Sequence, residues 1–220
     1  MLPTKPTSIR RAQRMSTADL PAEFQNIPAT MESADNRMPP QSEAEYTDAQ
    51  KAAIAAFEKQ RGRKIGGPFV PLLRSPHVFE IAIQMGYYLR YETGLPSTLT
   101  EFAILITARK WSQNYEWFAH RKIAEEVGLE TAKIEAVREG RRPQNMSEDE
   151  EAVYDYCTEL HQNGQVSDTT YNRLQQKFGD QAIIDFTAIC GHYSLLAMVM
   201  NGTNTPLPVG GSRELEGFPK

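Results

Sequence analysis

From residue 46 onward the sequence is punctuated by helix starts and stops. No segment alternates apolar and polar residues over the about four to eight positions that mark a half-buried strand. Thr47 with Gln50 opens a helix whose Ala53, Ile54 and Phe57 share one face, and Gly62 closes it. Ser75 followed by Pro76 starts another, with Val78, Phe79, Ala82, Met85 and Leu89 as the expected buried stripe and Gly94 as the stop. Further helices are expected from Thr98 to about Ser112, from Asn114 to before Gly128, and over Glu130 to Glu139. Ser147 with Glu150 introduces one that carries Val153, Cys157 and Leu160 and ends at Gly164. Thr169 to Phe178 ends at Gly179, and Gln181 to Asn201 ends at Gly202. The expectation is an all-α, compact bundle of about eight helices with short connections. The last helix is apolar nearly all round, which points to a central position or a subunit contact.

The first 45 residues have a different texture. They hold six of the fourteen prolines and no sustained periodicity, so they read as a largely irregular N-terminal arm (1–45) on a helical domain (46–220). Lys5, Arg10, Arg11 and Arg14 precede any acidic residue, as in an organellar transit peptide, but the prolines break the amphipathic helix such a signal needs. An arm wrapping a neighbouring subunit is the expectation. A length of 220 residues suits one domain with an extra segment. The net charge of −4, with both signs interspersed, offers no cationic field for phosphate, so no nucleic-acid partner is expected. Cys157 and Cys190 lie in separate helical patterns with no Cys-x-x-Cys, which argues against a disulfide framework or zinc ribbon and fits a reducing, cytoplasmic setting. The longest apolar run, Tyr193 to Met200, is far short of the ~20 residues that cross a bilayer, so no membrane is expected either.

No G-x-G-x-x-G after a strand, G-x-x-x-x-G-K-[ST], H-E-x-x-H or G-x-S-x-G occurs. What remains is a set of polar residues inside apolar helices. Glu116 and His120 stand at i and i+4 and project from one face; Glu101, in the first turn of the preceding helix, can fold toward them across the tight connection at Ser112 to Asn114. Each also has a structural reading. Glu101 completes a Thr98-x-x-Glu101 capping box, Glu116 suits a first helical turn, and a lone His120 beside Phe118 could be a hydrogen-bonded core histidine.

Taken together, "TEFAILITARKWSQNYEWFAHRKIAEEVGLETAKIEAVREG" resembles the carboxymuconolactone decarboxylase superfamily, whose members carry a glutamate early in one helix and a histidine nineteen positions later at a helix start. Glu101 and His120 match those positions. "GHYSLLAMVMNGTNTPLP" is similar to the C-terminal helix and proline-containing exit of the longer members, and the resemblance spans roughly residues 43 to 210. In the AhpD-like branch, which has hydroperoxidase activity, a Cys-x-x-Cys pair lies between the two; its cysteine positions fall here on Gln113 and Glu116. The decarboxylase-like branch lacks those cysteines.

The resemblance implies a cofactor-independent carboxy-lyase, of the kind used in aromatic-compound catabolism, acting on an unsaturated lactone acid or similar small organic acid whose conjugated carbonyl takes up the electrons. Neither metal nor organic cofactor is then expected. Glu101, Glu116 and His120 are the catalytic candidates, with His120 as general acid and either carboxylate orienting it. Arg109, about two turns after Glu101, is the expected cation for an anionic substrate, with Arg74 and Arg90 less constrained; Tyr115, Trp117 and His192 are further pocket candidates. His77 and His161 read as structural. A homo-oligomer (dimer, trimer or hexamer) is expected. Three alternatives stay open: a peroxidase-related protein, a metal enzyme using Glu101, Glu116, His120 and His192, and a non-catalytic oligomeric binding protein.

Overall fold

The computed structural model describes residues 33–217; residues 1–32, with most of the expected arm, and residues 218–220 lie outside the described residues. The described chain is helical throughout its ordered elements, with a 3₁₀ turn at Glu43–Glu45 and α-helices α1 (Asp48–Arg61), α2 (Phe69–Leu72), α3 (Pro76–Tyr91), α4 (Ser97–Lys110), α5 (Asn114–Glu126), α6 (Thr131–Arg138), α7 (Glu148–Asn163) and α8 (Asp168–Thr203). The expected all-α class holds.

Most helix ends are written in local chemistry. The Thr47 hydroxyl accepts from the Gln50 amide while Gln50 returns a bond to the Thr47 amide, and Ser147 with Glu150 does the same for α7. Gly62 and Gly164 then take the left-handed conformation that closes α1 and α7. Residues 169–178 and 181–201 were expected as two helices, and they form one element, α8, broken at Gly179. Its φ of 83° and ψ of 176° belong to a region essentially open only to glycine. The short α2 carries no such start or stop chemistry and was not expected.

The centre of the bundle is α4, not the last helix. Every residue from Leu99 to Arg109 is buried, because α4 packs on α5, α6, α7 and α8 at once. By length and composition α8 could cross a bilayer, but much of it is buried against α3, α4 and α7 as a core helix. One of its faces stays outside, with Ile184, Leu195 and Met198 exposed. The stripe expected for α3 is rotated: Phe79, Ala82, Ile83, Gly86 and Leu89 are buried, while Val78 and Met85 are exposed. A span of apolar residues wider than one face left both rotations open, and only the neighbours chose between them.

The C-terminal segment straps across the start of α5. Asn114 Oδ1 accepts from the amides of Glu214 and Leu215, both at 2.8 Å, and its Nδ2 donates to the Leu215 carbonyl at 3.1 Å. At the C-terminal end of α8, the Arg37 amide donates to the Thr203 carbonyl at 2.8 Å and its guanidinium to the Gly202 carbonyl at 2.9 Å.

Candidate functional site

The turn between α4 and α5 brings the first of the expected groups together. Ser112 adopts φ 47°, and the Gln113 amide bonds back to the Ala108 carbonyl at 2.9 Å, so the chain reverses within three residues. The antiparallel contact that follows sets the first turns of α4 beside the second turn of α5. There His120 Nδ1 lies 2.6 Å from Glu101 Oε2. A carboxylate only accepts, so Nδ1 carries a hydrogen and Nε2 is the ring nitrogen left for another molecule. Arg90, from the last turn of α3, donates through Nε and Nη2 to Glu101 Oε1 at 3.3 and 3.0 Å.

Glu101 is therefore not a cap. Thr98 lies inside α4, whose N-cap is Pro96, and the Glu101 side chain points into the bundle, 3% exposed. Burial alone would raise its carboxyl, but the charges of His120 and Arg90 and their hydrogen bonds outweigh it and hold Glu101 below the ordinary range. Burial likewise works against Arg90, and the Tyr91 and Glu101 groups beside it more than compensate. The Tyr193 ring stands edge-on to His120 at 5.0 Å and again to His192 at 5.2 Å, fixing both imidazoles in the same wall.

Glu116 does not pair with His120, contrary to the i, i+4 expectation. It is 3% exposed and neither carboxyl oxygen has a partner among the described residues. Burial pushes its pKa well above the carboxylate range, so it sits in the wall as a neutral acid. His192 is also neutral: burial first, then the charges of Arg61 and His120, bring it down to about 4. Its position depends on Gly86 of α3, where a Cβ would lie 2.8 Å from His192 Nε2.

These groups border a cavity of about 90 Å³, walled also by Arg61, Arg63, Phe69, Tyr115, Leu196 and Met200. Arg61 and Arg63 form no ion pair among the described residues, lying instead over aromatic rings, Arg61 on Tyr87 and Tyr91, Arg63 on Phe57 and Phe69. Burial lowers both, Arg63 to about 10, which leaves each charged at neutral pH. The Tyr115 hydroxyl has no partner among the described residues and burial pushes it up to about 12. A larger cavity of about 450 Å³ lies on the far side of Tyr115 and Met200, but none of the buried acid and histidine groups faces it. The chemistry belongs to the smaller one.

Several expectations fail here for want of direction along a helix. Arg109 faces away from Glu101, donating to Ser112 Oγ and the Glu216 carbonyl and lining a separate cavity. Arg74 is exposed and donates to the Pro39 carbonyl. Trp117 is fully buried outside the cavity, with its indole nitrogen 3.3 Å from Glu214 Oε2. Arg90, Tyr115 and His192 do reach the site. Arg61, Arg63 and Tyr193 were missed; arginines on either side of the helix stop at Gly62 carried no local signal of burial. The metal set does not assemble, since no group of three or more His, Cys, Asp and Glu among the described residues is arranged to hold an ion. Gln113 is structural, capping α5 by accepting from the Tyr115 and Glu116 amides and donating to Asn201 Oδ1 at 2.9 Å.

No family model matches the sequence. Nor does any curated protein. In three dimensions the chain is similar to the crystal structure of a protein of unknown function from Agrobacterium tumefaciens, put forward as an antioxidant defence protein, AhpD, with a TM-score of 0.52 and 20% identity over 62% of this chain and 94% of that one. The chain has the AhpD-like fold. Within the AhpD-like fold the Glu101 to His120 contact joins the two helices, α4 and α5, that carry the expected glutamate and histidine.

Proposed function

We propose that the protein is a cofactor-independent acid/base enzyme, most simply a carboxy-lyase, acting on a small organic anion at the Glu101, His120 and Glu116 site. The observation that carries the reading is the 2.6 Å contact of Glu101 with His120, which borders a cavity where Glu116, a neutral carboxylic acid, has no partner among the described residues. An oriented imidazole beside an unsatisfied acid is an arrangement suited to moving protons.

In decarboxylation the bond from carbon to the departing carboxylate breaks and its electron pair enters a conjugated carbonyl, giving an enolate. His120, held by Glu101, delivers a proton to carbon. Glu116, as a neutral acid, donates a hydrogen bond to the enolate oxygen as charge gathers there. Arg61 and Arg63 suit an anionic group that is retained, because pairing a cation with the carboxylate being lost would stabilise the ground state. That carboxylate fits better against Phe69, Leu196 and Met200, where it is poorly solvated. A volume of about 90 Å³ is roughly three times a water's share of liquid, so the cavity takes a small acid or the reacting end of a larger one.

The reading also includes self-association into a homo-oligomer. The peroxidase-related alternative draws support from the fold neighbour, but positions 113 and 116 carry no sulfur here. Measuring CO2 release over a panel of unsaturated lactone acids and short oxo acids, with His120→Ala alongside, tests the proposal. Turnover should fall on the order of 10² to 10⁴ in the variant; turnover that survives unchanged removes the mechanism.

A further inference from the structure

The reaction cavity is small for the chemistry assigned to it. Its volume of about 90 Å³ is the share of roughly three waters and admits about as many heavy atoms. An acid that loses CO2 into a conjugated carbonyl brings the departing carboxylate, the reacting carbon and that carbonyl together, so the rest of the molecule has to extend beyond. The space next to it lies across two side chains. Tyr115 and Met200 border both this cavity and the larger one of about 450 Å³, a volume in the range of small-molecule sites.

The two side chains of this partition differ in freedom. The Tyr115 ring sits where Gly67 leaves room: a Cβ on that glycine, whose φ is 57°, would lie 2.6 Å from Tyr115 Cε1. Met200 is unbranched and turns about three side-chain bonds. Tyr115 is therefore the fixed side of the partition and Met200 the side that can move.

The larger cavity is formed by the turn between α4 and α5, the end of α8 and the segment after it. Gln113, Asn114 and Asn201 are occupied in holding these pieces together. Asp35, Asn204 and Arg213 are not, for their side chains have no hydrogen-bond or ion-pair partner among the described residues. One carboxylate and one guanidinium offset each other, and the amide both donates and accepts. Such a lining suits a neutral group with donors and acceptors of its own, as an amide has.

We propose that the substrate spans both cavities: an unsaturated acid head at the small one, joined through its carbonyl to a neutral, amide-bearing tail that passes between Tyr115 and Met200 and lies against Asp35, Asn204 and Arg213. The inference rests on the acid/base reading of the Glu101, His120 and Glu116 site. Glu116, which serves the carbonyl oxygen in that reading, is followed on the same wall by Tyr115, so a chain attached beyond the carbonyl has the Tyr115 ring beside it. The Tyr115 hydroxyl, buried with no partner among the described residues, becomes a hydrogen-bonding group for the tail at the crossing.

Binding tests this independently of turnover. Fumaramic acid carries the head alone, and fumaroyl-glycyl-glycinamide carries the same head with an amide tail. In isothermal calorimetry on the full chain the tailed compound should bind about tenfold or more tightly than the head, the worth of one or two hydrogen bonds. Asn204→Gly, which suits the left-handed backbone at φ 51°, combined with Arg213→Ala should bring the ratio of the two affinities toward one. Equal affinities in the wild type would overturn the two-cavity substrate and leave the acid site standing. A gain that survives in the double variant would put the tail elsewhere and overturn its assignment to this cavity. Failure of both compounds to bind at millimolar concentration would sink the acid reading and this inference together.

Discussion

Glu101 and Glu116 are the same residue type in neighbouring helices, and their surroundings drive them to opposite charge states. Glu101 has a guanidinium on one oxygen and an imidazole on the other; Glu116 has no partner among the described residues. Their links to stability therefore run in opposite directions. Glu101, held low in the fold, contributes stability above its ordinary pKa of 4.5 and loses it as pH falls through the folded value. Glu116, held high, is favourable at acid pH, and stability declines as pH rises from 4.5 toward the folded value, at about 1.4 kcal/mol per pH unit while the unfolded group ionises and the native one does not. Replacing Glu116 by Gln should thus raise the melting temperature, by a margin that widens from pH 5 to pH 7, in thermal scans across that range. Glu101→Gln should act on turnover: without a carboxylate to hold Nδ1–H, kcat should drop about a hundredfold or more with little change in KM, read by steady-state kinetics on whichever acid the wild type decarboxylates. The i, i+4 spacing made Glu116 look like His120's partner, whereas a glutamate nineteen residues earlier takes that place. Side-chain direction on a buried helix is decided by what it meets.

At the level of elements, the sequence was a good guide wherever the ends of helices are local chemistry. The boxes at Thr47 and Ser147 and the glycines at 62 and 164 are satisfied by residues within four positions, so their neighbours in sequence are enough to define them. Thr98-x-x-Glu101 has the same spelling and is not a box, because burial beside Arg90 and His120 outbids an exposed cap worth about 1 kcal/mol. Gly86 shows the same dependence on packing. Alanine there would gain roughly 1 kcal/mol in helix propensity and lose a similar amount to the His192 contact, whose ring can swing aside. Gly86→Ala should therefore melt within a few degrees of wild type while kcat/KM falls, since the displaced ring moves into the cavity; a thermal scan paired with kinetics separates the two effects.

At the scale of the molecule, two apolar faces are exposed among the described residues: Val78, Ile81 and Met85 on α3, and Ile184, Leu195 and Met198 on the adjacent α8. Contiguous exposed apolar side chains of this kind mark contact surfaces. If α8 carries the subunit contact, Leu195→Asp with Met198→Asp should shift sedimentation from oligomer to monomer and leave the helical circular-dichroism signal intact. The sequence by itself determined the helical class, the capping boxes at Thr47 and Ser147 and the breaks at Gly62, Gly164 and Gly179, because each rests on backbone groups and side chains within a turn of one another. Tertiary structure alone decided which face of each helix is inside, which arginines enter the cavity, and which carboxylate holds His120. Those outcomes turn on desolvation and charge between groups tens of residues apart, and no local pattern encodes the distance between them.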